Sequence, residues 1–129
     1  MKKLILIFAA IAIVACGNKR QELTHEGART AAEHFYSLLI NGDSEAYVDG
    51  LAGMVSCDSL TRAELIDVVE QFVKRELDAH NGITSATAVR DTIYGDSLAR
   101  VFMNIAYGDS TTEHTMIPLV YTGGEWKMR

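Results

Sequence analysis

The chain has 129 residues, with 12 lysines and arginines against 17 aspartates and glutamates, and its formal net charge is −5. Nucleic-acid-binding proteins need a basic face for the phosphates, so this acidic balance argues against a nucleic-acid partner. The length suits one domain with a single hydrophobic core.

The first residues are typical of a segment that is removed during export. Lys2 and Lys3 precede an apolar run of 12 residues, from Leu4 to Ala15. A bilayer-spanning helix needs about 20 apolar residues, whereas the apolar part of a secretory signal needs about 7 to 15. The sequence therefore predicts that residues 1–15 are a signal peptide.

Cys16 follows that run directly, in the stretch IVAC. This stretch resembles the lipobox of bacterial lipoproteins, in which the cysteine is acylated and becomes the new N-terminus; an ordinary secretory signal is the alternative. The resemblance implies that Cys16 attaches the chain to a membrane, that residues 16–23 are the lipidated cysteine and its linker, and that residues 24–129 form one domain. The mature chain would carry a net charge of −7.

The residues after Cys16 bear on which membrane holds the anchor. An aspartate just after the lipidated cysteine would resemble an inner-membrane retention signal, but this chain has Gly17 and Asn18 there. The linker also has no acidic run. We expect a lipid-anchored protein on the periplasmic face of the outer membrane. Cys57 is the only other cysteine, so no disulfide within the chain is expected, and we interpret it as a small buried hydrophobe.

Two helices are predicted at the start of the domain. In the first, apolar residues recur at steps of three and four, and Asn41-Gly42 ends it. Asp43 or Ser44 can cap a short second helix, which Gly50 and Gly53 weaken. The apolar positions of the first helix are Ala28, Ala31, Ala32, Phe35, Leu38 and Leu39.

A third, longer helix carries the clearest helical pattern. The stretch TRAE at 61–64 fits a capping box, with Thr61 as N-cap and Glu64 reaching back to it. Asn81-Gly82 closes the helix. Its apolar stripe is Leu65, Ile66, Val69, Phe72, Val73 and Leu77.

Beyond Gly82 the apolar pattern changes to a period of two, and glycine-containing turns recur at 95, 108 and 123–124. The sequence predicts a four-strand antiparallel meander over residues 84–94, 98–107, 111–122 and 125–129. Pro118 predicts a bulge or an edge in the third strand. The predicted fold class is α+β, with N-terminal helices followed by a curved four-strand antiparallel sheet that wraps the long helix along residues 65–77.

The order of these elements, the lipobox, NGDSEAY at 41–47 and GGEWKM at 123–128 resemble small bacterial lipoprotein domains of the nuclear transport factor 2-like (NTF2-like, cystatin-like) superfamily. The resemblance covers about residues 24–129. It implies an α+β cone with an apolar pocket between helix and sheet. Within the superfamily it implies either a non-catalytic binding or dimerisation module or a ketosteroid isomerase-like or polyketide cyclase-like enzyme.

Catalytic signals in the sequence are weak. An isomerase-type site needs a carboxylate base and a hydroxyl donor in an apolar cavity. Tyr107 and His114 lie on neighbouring predicted strands and are the candidates for such a site, although no acid is marked as the base. The four histidines lack metal-ligand spacing, so we predict no metal site and no cofactor.

We therefore expect a membrane-tethered, non-catalytic binding or interaction module, and a small-molecule enzyme is the alternative. The predicted outer face of the sheet is more apolar than a solvated face, which suggests an interface with a second copy or with a periplasmic protein. A small apolar molecule in the cone pocket is a further expected ligand. The interface candidates are Leu98, Phe102, Ala106, Leu119 and Tyr121.

Overall fold

The structure is a computed structural model that describes residues 22–129, with three α-helices, one turn of 3-10 helix and four strands. The predicted signal peptide, Cys16 and most of the linker lie outside the described residues. Within residues 22–129, no helix has both the length and the apolar character required to cross a bilayer. The elements are α1 (His25–Ile40), α2 (Ser44–Asp49), the 3-10 turn (Met54–Ser56), α3 (Ser59–His80), β1 (Ile83–Tyr94), β2 (Leu98–Tyr107), β3 (Thr112–Thr122) and β4 (Glu125–Met128).

Capping side chains set the ends of the first two helices. Thr24 caps α1 by accepting a hydrogen bond from the backbone N–H of Gly27, and Gly42 follows the helix with φ of +76°. Asp43 caps α2 by accepting from the N–H of Ala46. The predicted helix ends at Asn41-Gly42 and the predicted short second helix are confirmed.

The start of α3 differs from the prediction. Asp58 is the N-cap, and its carboxylate accepts from the backbone N–H of Thr61 at 2.7 Å. The capping box at Thr61 is therefore wrong, because Asp58 caps the helix three residues earlier. At the other end Asn81 adopts a left-handed conformation, with φ of +60°, and Gly82 follows it with φ of +83°.

The four strands form one antiparallel sheet in the order β1-β2-β3-β4, as predicted. Two register shifts interrupt the pairing of β1 with β2, one between Ile83 and Ser85 and one between Ala88 and Arg90. Such bulges bend a sheet, which gives the curvature expected of the fold class. Pro118 pairs opposite Arg100 without a shift, so of the two roles predicted for it, a bulge or an edge, the bulge is wrong. Pro118 instead lies just beyond the last residue paired with β4.

The inner face of the sheet is covered by α1, not by α3 as we predicted. The buried residues of α1 are three alanines, Phe35 and Leu39, and they pack with alternate residues of β2 and with β3 and β4. Alanines let a helix lie close to a sheet, so α1 occupies the space that the longer helix was expected to fill. No residue of α3 is fully buried, and its Leu77 is 59% exposed.

Polar contacts hold α3 at its two ends. Near the first end, Arg62 donates two hydrogen bonds to the carboxylate of Asp49, at 2.9 and 3.0 Å. At the last residue, His80 Nδ1 lies 2.9 Å from Asp109 Oδ2. The turn after β2 is also held beside the end of α3 by a backbone hydrogen bond, which the N–H of Gly108 donates to the carbonyl of Gly82. The helix is thus fixed across the domain while its middle stays half-exposed.

Candidate functional site

The two catalytic candidates from the sequence lie on opposite faces of the sheet. His114 pairs with Asn104 on the outer face, where it is exposed and its Nδ1 hydrogen-bonds to the side-chain oxygen of Asn104. Tyr107 packs against the core on the inner face. Two groups separated by the sheet cannot act on one substrate, so these two weak candidates do not form a common catalytic site.

Tyr107 instead belongs to a polar cluster at the end of β2. Its hydroxyl donates to Glu113 Oε1 at 2.6 Å, and the His80 ring lies 4.7 Å from its ring centre. Burial, followed by the hydrogen bond to Glu113, raises the pKa of Tyr107. Tyr107 therefore remains a protonated donor at neutral pH, and its hydroxyl is already used by Glu113.

Two further tyrosines lie near this cluster, on α1 and α2. Burial, together with the neighbouring Tyr47 and Glu113, raises the pKa of Tyr36 to about 12. Burial also raises the pKa of Tyr47. Both rings pack against the core. The end of the domain near Tyr107 thus presents the neutral phenols of Tyr36 and Tyr107 near Glu113, an arrangement that suits hydrogen bonding more than base catalysis.

Other acids of suitable type have structural partners. The hydrogen bond from Arg62 lowers the pKa of Asp49, and the N–H of Thr61 lowers the pKa of Asp58. The side chain of Asp91 is only 2% exposed; Arg29 donates to it at 2.8 Å, and His25 also contacts it. The carboxylates of Asp49 and Asp91 join helices to one another or to the sheet, and that of Asp58 caps α3. Within residues 22–129, no group of three or more histidines, cysteines or acids is arranged to hold a metal ion.

The five interface candidates divide between the two faces. Leu98, Phe102 and Ala106 lie on the outer face, opposite Val120, Met116 and Thr112 of β3, and each is half-buried. Leu119 is fully buried in the core, and Tyr121 packs edge-on against the buried Trp126. The outward placement predicted for Leu119 and Tyr121 is wrong, because residues 119 and 121 share the inner face with Ala99 and Val101.

The outer face of the sheet contains groups that the sequence pattern did not reveal. Two arginines stack on aromatic rings: the guanidinium of Arg90 lies 4.4 Å from the centre of Phe102, and that of Arg100 lies 4.6 Å from the centre of Tyr94. Beside them is an open depression of about 580 Å³. Its outward-facing lining includes Val89, Arg90, Phe102, Asn104, His114 and Met116.

One bulge interrupts the alternation of β1 between its two faces. The register shift between Ala88 and Arg90 places the exposed Val89 outside the alternation, and the backbone N–H of Ala88 donates to Glu33 of α1 at 2.8 Å. A strict alternation of β1 could have identified Arg90, Thr92 and Tyr94 as one face. It could not have shown where that alternation is interrupted.

Comparison with known proteins supports the fold. No model of a known protein family matches the chain, and no curated protein sequence matches it. Its structure is similar to that of a Campylobacter jejuni protein that carries the proposed name NTF2-like transpeptidase, with a TM-score of 0.62 and 13% identity. The similarity covers 77% of this chain and 94% of the other. Together with the helices and the curved antiparallel meander, this similarity shows that the chain has an NTF2-like fold.

Proposed function

We propose that this chain is an exported lipoprotein whose NTF2-like domain is a non-catalytic interaction module. In this proposal residues 1–15 are removed, Cys16 carries the lipid, and the domain faces the periplasm from the outer membrane. The support for the anchor is the sequence itself, with two lysines, a short apolar run and the cysteine in the order of a lipobox. The first described residue, Glu22, follows Cys16 by only six positions, so the domain would lie close to the membrane.

The proposed interaction surface is the outer face of the sheet, and its exposed apolar groups are the observation that carries the proposal. Met116 is 42% exposed and Val89 is 54% exposed, and both adjoin the half-buried Phe102. Apolar side chains grouped on one exposed face are typical of an interaction site. A second copy or a periplasmic protein would cover them.

The polar contacts of the described residues support a non-catalytic role. Three of the four histidines hydrogen-bond to side chains, and the partners are Asp91, Asp109 and Asn104. None of these bonds involves the hydroxyl or thiol that a transpeptidase would need as nucleophile. The name of the Campylobacter jejuni protein therefore does not extend to a proposed activity for this chain.

Lipid attachment can be tested by labelling cells with radioactive palmitate and by mass spectrometry of the membrane fraction. We expect label on the wild-type chain, loss of label in Cys16→Ser, and a mature N-terminus at an acylated Cys16. An unmodified chain that begins at another residue would contradict the anchor.

The interaction surface can be tested by replacing Phe102 with a photo-crosslinking phenylalanine derivative in cells. We expect a discrete crosslinked product from position 102. The matched control places the same derivative at Glu70, an exposed position of α3. Absence of a product at 102, or the same product from both positions, would overturn the proposed surface. Sedimentation of the purified chain distinguishes a second copy from a different protein.

A further inference from the structure

Charged residues are distributed unequally between the two faces of the sheet. The outward positions of the four strands include Arg90, Arg100 and Lys127 and one acid, Glu125, which lies 3.4 Å from Lys127, whereas Asp91 and Glu113 are at inward positions. This distribution runs against the composition of the chain, in which acids outnumber bases by five. The outer face is therefore a basic surface on an acidic protein.

The arginines of this face are presented without acidic partners. Arg129 joins Arg90 and Arg100 here, because its guanidinium donates to the Tyr94 hydroxyl at 3.1 Å. Among the described residues, no carboxylate forms an ion pair with any of these three guanidiniums. Stacking on Phe102 or Tyr94 occupies the flat face of a guanidinium and leaves its N–H edge available to an anion.

The spacing of Arg90 and Arg100 suits an extended acidic segment. Arg90 is opposite Phe102 and Arg100 is opposite Thr92, so the two arginines are diagonal neighbours on adjacent strands. Such neighbours are about 7–8 Å apart, close to the ~6.6 Å between alternate residues of an extended chain. Two carboxylates separated by one residue are therefore spaced like the two arginine positions in the sheet.

Charge and geometry together decide between three occupants of this surface. A second copy docked by two-fold symmetry would place arginines near arginines. An anionic lipid surface is disfavoured because the linker to the proposed lipid anchor starts from the inner side of the sheet. There the indole of Trp126 donates to the carbonyl of Glu22 at 3.0 Å. The six residues from Cys16 to Gln21 span at most about 20 Å. For the outer face to lie on the membrane, this short linker would have to pass around the edge of the sheet.

We propose that the outer face binds an acidic segment of a protein partner. Alternate carboxylates of the segment pair with Arg90 and Arg100, and an apolar side chain enters the depression beside Phe102 and Met116. This inference rests on the proposed function, in which the same face is the interaction surface. It adds the chemistry of the partner.

The test uses the full chain in detergent and a fluorescent ten-residue peptide of alternating glutamate and leucine. Matched peptides replace glutamate with glutamine or with lysine. We expect the glutamate peptide to bind at least about tenfold more tightly than either control, and its affinity to fall as salt rises. Equal binding of the three peptides would overturn the proposal.

Paired variants test the arginines directly. Arg90→Gln with Arg100→Gln is expected to weaken binding of the glutamate peptide at least about tenfold, and the two Arg→Lys changes are expected to restore part of it. The control, Lys74→Gln with Arg75→Gln on the exposed side of α3, removes the same charge and is expected to bind normally. Circular dichroism melting curves establish that each variant folds. Equal loss in both glutamine variants would overturn the proposal.

Two further measurements identify the other occupants. If phosphatidylglycerol vesicles, and not the peptide, bind in a manner that depends on the arginines, then the surface binds lipid and the proposal is wrong. If the chain forms a dimer that the arginine variant abolishes, then the occupant is a second copy and the proposal is also wrong. A crosslinked product from position 102 without peptide binding would preserve the proposed function while rejecting an acidic partner.

Discussion

Neighbouring residues of β3 experience opposite environments, although their side chains are similar in polarity. Leu119 is completely buried, whereas Met116, three residues earlier, is 42% exposed. Leu119 lies opposite Ala99 on the inner face, and Met116 lies opposite Phe102 on the outer face. Substitutions at the two faces should therefore have different consequences for stability.

We expect Leu119→Ala to lower the free energy of unfolding by about 2–5 kcal/mol, because it leaves a cavity in a packed core. Phe102→Ala is expected to cost only about 1 kcal/mol, because the ring is half-exposed and loses partial burial and its contact with Arg90. Urea unfolding followed by circular dichroism measures both. A larger loss in Phe102→Ala than in Leu119→Ala would contradict the assignment of the two faces.

At the scale of elements, the junction between α3 and the sheet depends on one titratable pair. His80, the last residue of α3, contacts Asp109 in the turn after β2. The hydrogen bond to Asp109 raises the pKa of His80. Hydrogen bonds from Thr111, and then from His80, lower the pKa of Asp109 to about 2. The junction should therefore be sensitive to pH.

The direction of this sensitivity follows from the two pKa shifts. The histidine contribution is fully present below the unfolded pKa of about 6.5 and is lost as the pH rises through the higher folded value. The aspartate contribution is present above about 3.9 and is lost as the pH falls toward 2. We expect His80→Gln to lower the melting temperature more at pH 5.5 than at pH 8.5.

Scanning calorimetry at the two pH values, with NMR titration of the His80 ring, tests this expectation. His34→Gln, at an exposed position of α1, serves as the control. Its change in melting temperature is expected to be no larger at pH 5.5 than at pH 8.5. A His80 pKa at or below 6.5 would contradict the predicted contact. So would a His80→Gln effect that grows at pH 8.5.

Apart from the start of α3, the bounds of the elements could be predicted because their signals are local. Gly42 and Asp43 occupy the positions that end α1 and cap α2, and the strand ends fall within one residue of the expected positions. The partner of the sheet could not be predicted in this way. A long amphipathic stripe predicted α3, whereas the alanines of α1 allow the closer approach, and packing distance is a property of two elements together.

The candidate site was harder to predict than the fold, for a related reason. Alternation along β2 separated Phe102 from Met103 correctly, but assigning Leu119 and Tyr121 to a face requires the register of β3 against β2. A shift of one residue exchanges the two faces of a strand. The stacking of Arg90 on Phe102 likewise depends on a bulge that no turn residue marks.

At the scale of the whole molecule, β4 connects the two ends of the described chain. The indole N–H of Trp126 donates to the carbonyl of Glu22, a residue 104 positions earlier. The ring itself is buried in the core and is 1% exposed. The segment that precedes α1 is thus held by the last strand.

We expect Trp126→Phe, which keeps an aromatic ring but removes the N–H donor, to lower the free energy of unfolding by about 1 kcal/mol or somewhat more. Hydrogen exchange should increase at the start of α1 and change little in β2, because the lost contact is local. Tyr94→Phe, which removes a hydroxyl on the outer face, is the control. Equal protection of α1 in Trp126→Phe and wild type would contradict the role of this bond.

The contact between Trp126 and Glu22 also has a consequence for biosynthesis. At about 5–20 residues per second, a ribosome makes Glu22 roughly 5–20 s before Trp126. During that interval the start of the first helix lacks the hydrogen bond from Trp126, and a chain terminated before position 126 never forms it. A truncated copy would therefore have a less protected start of the first helix than a finished chain, because it lacks the Trp126 indole.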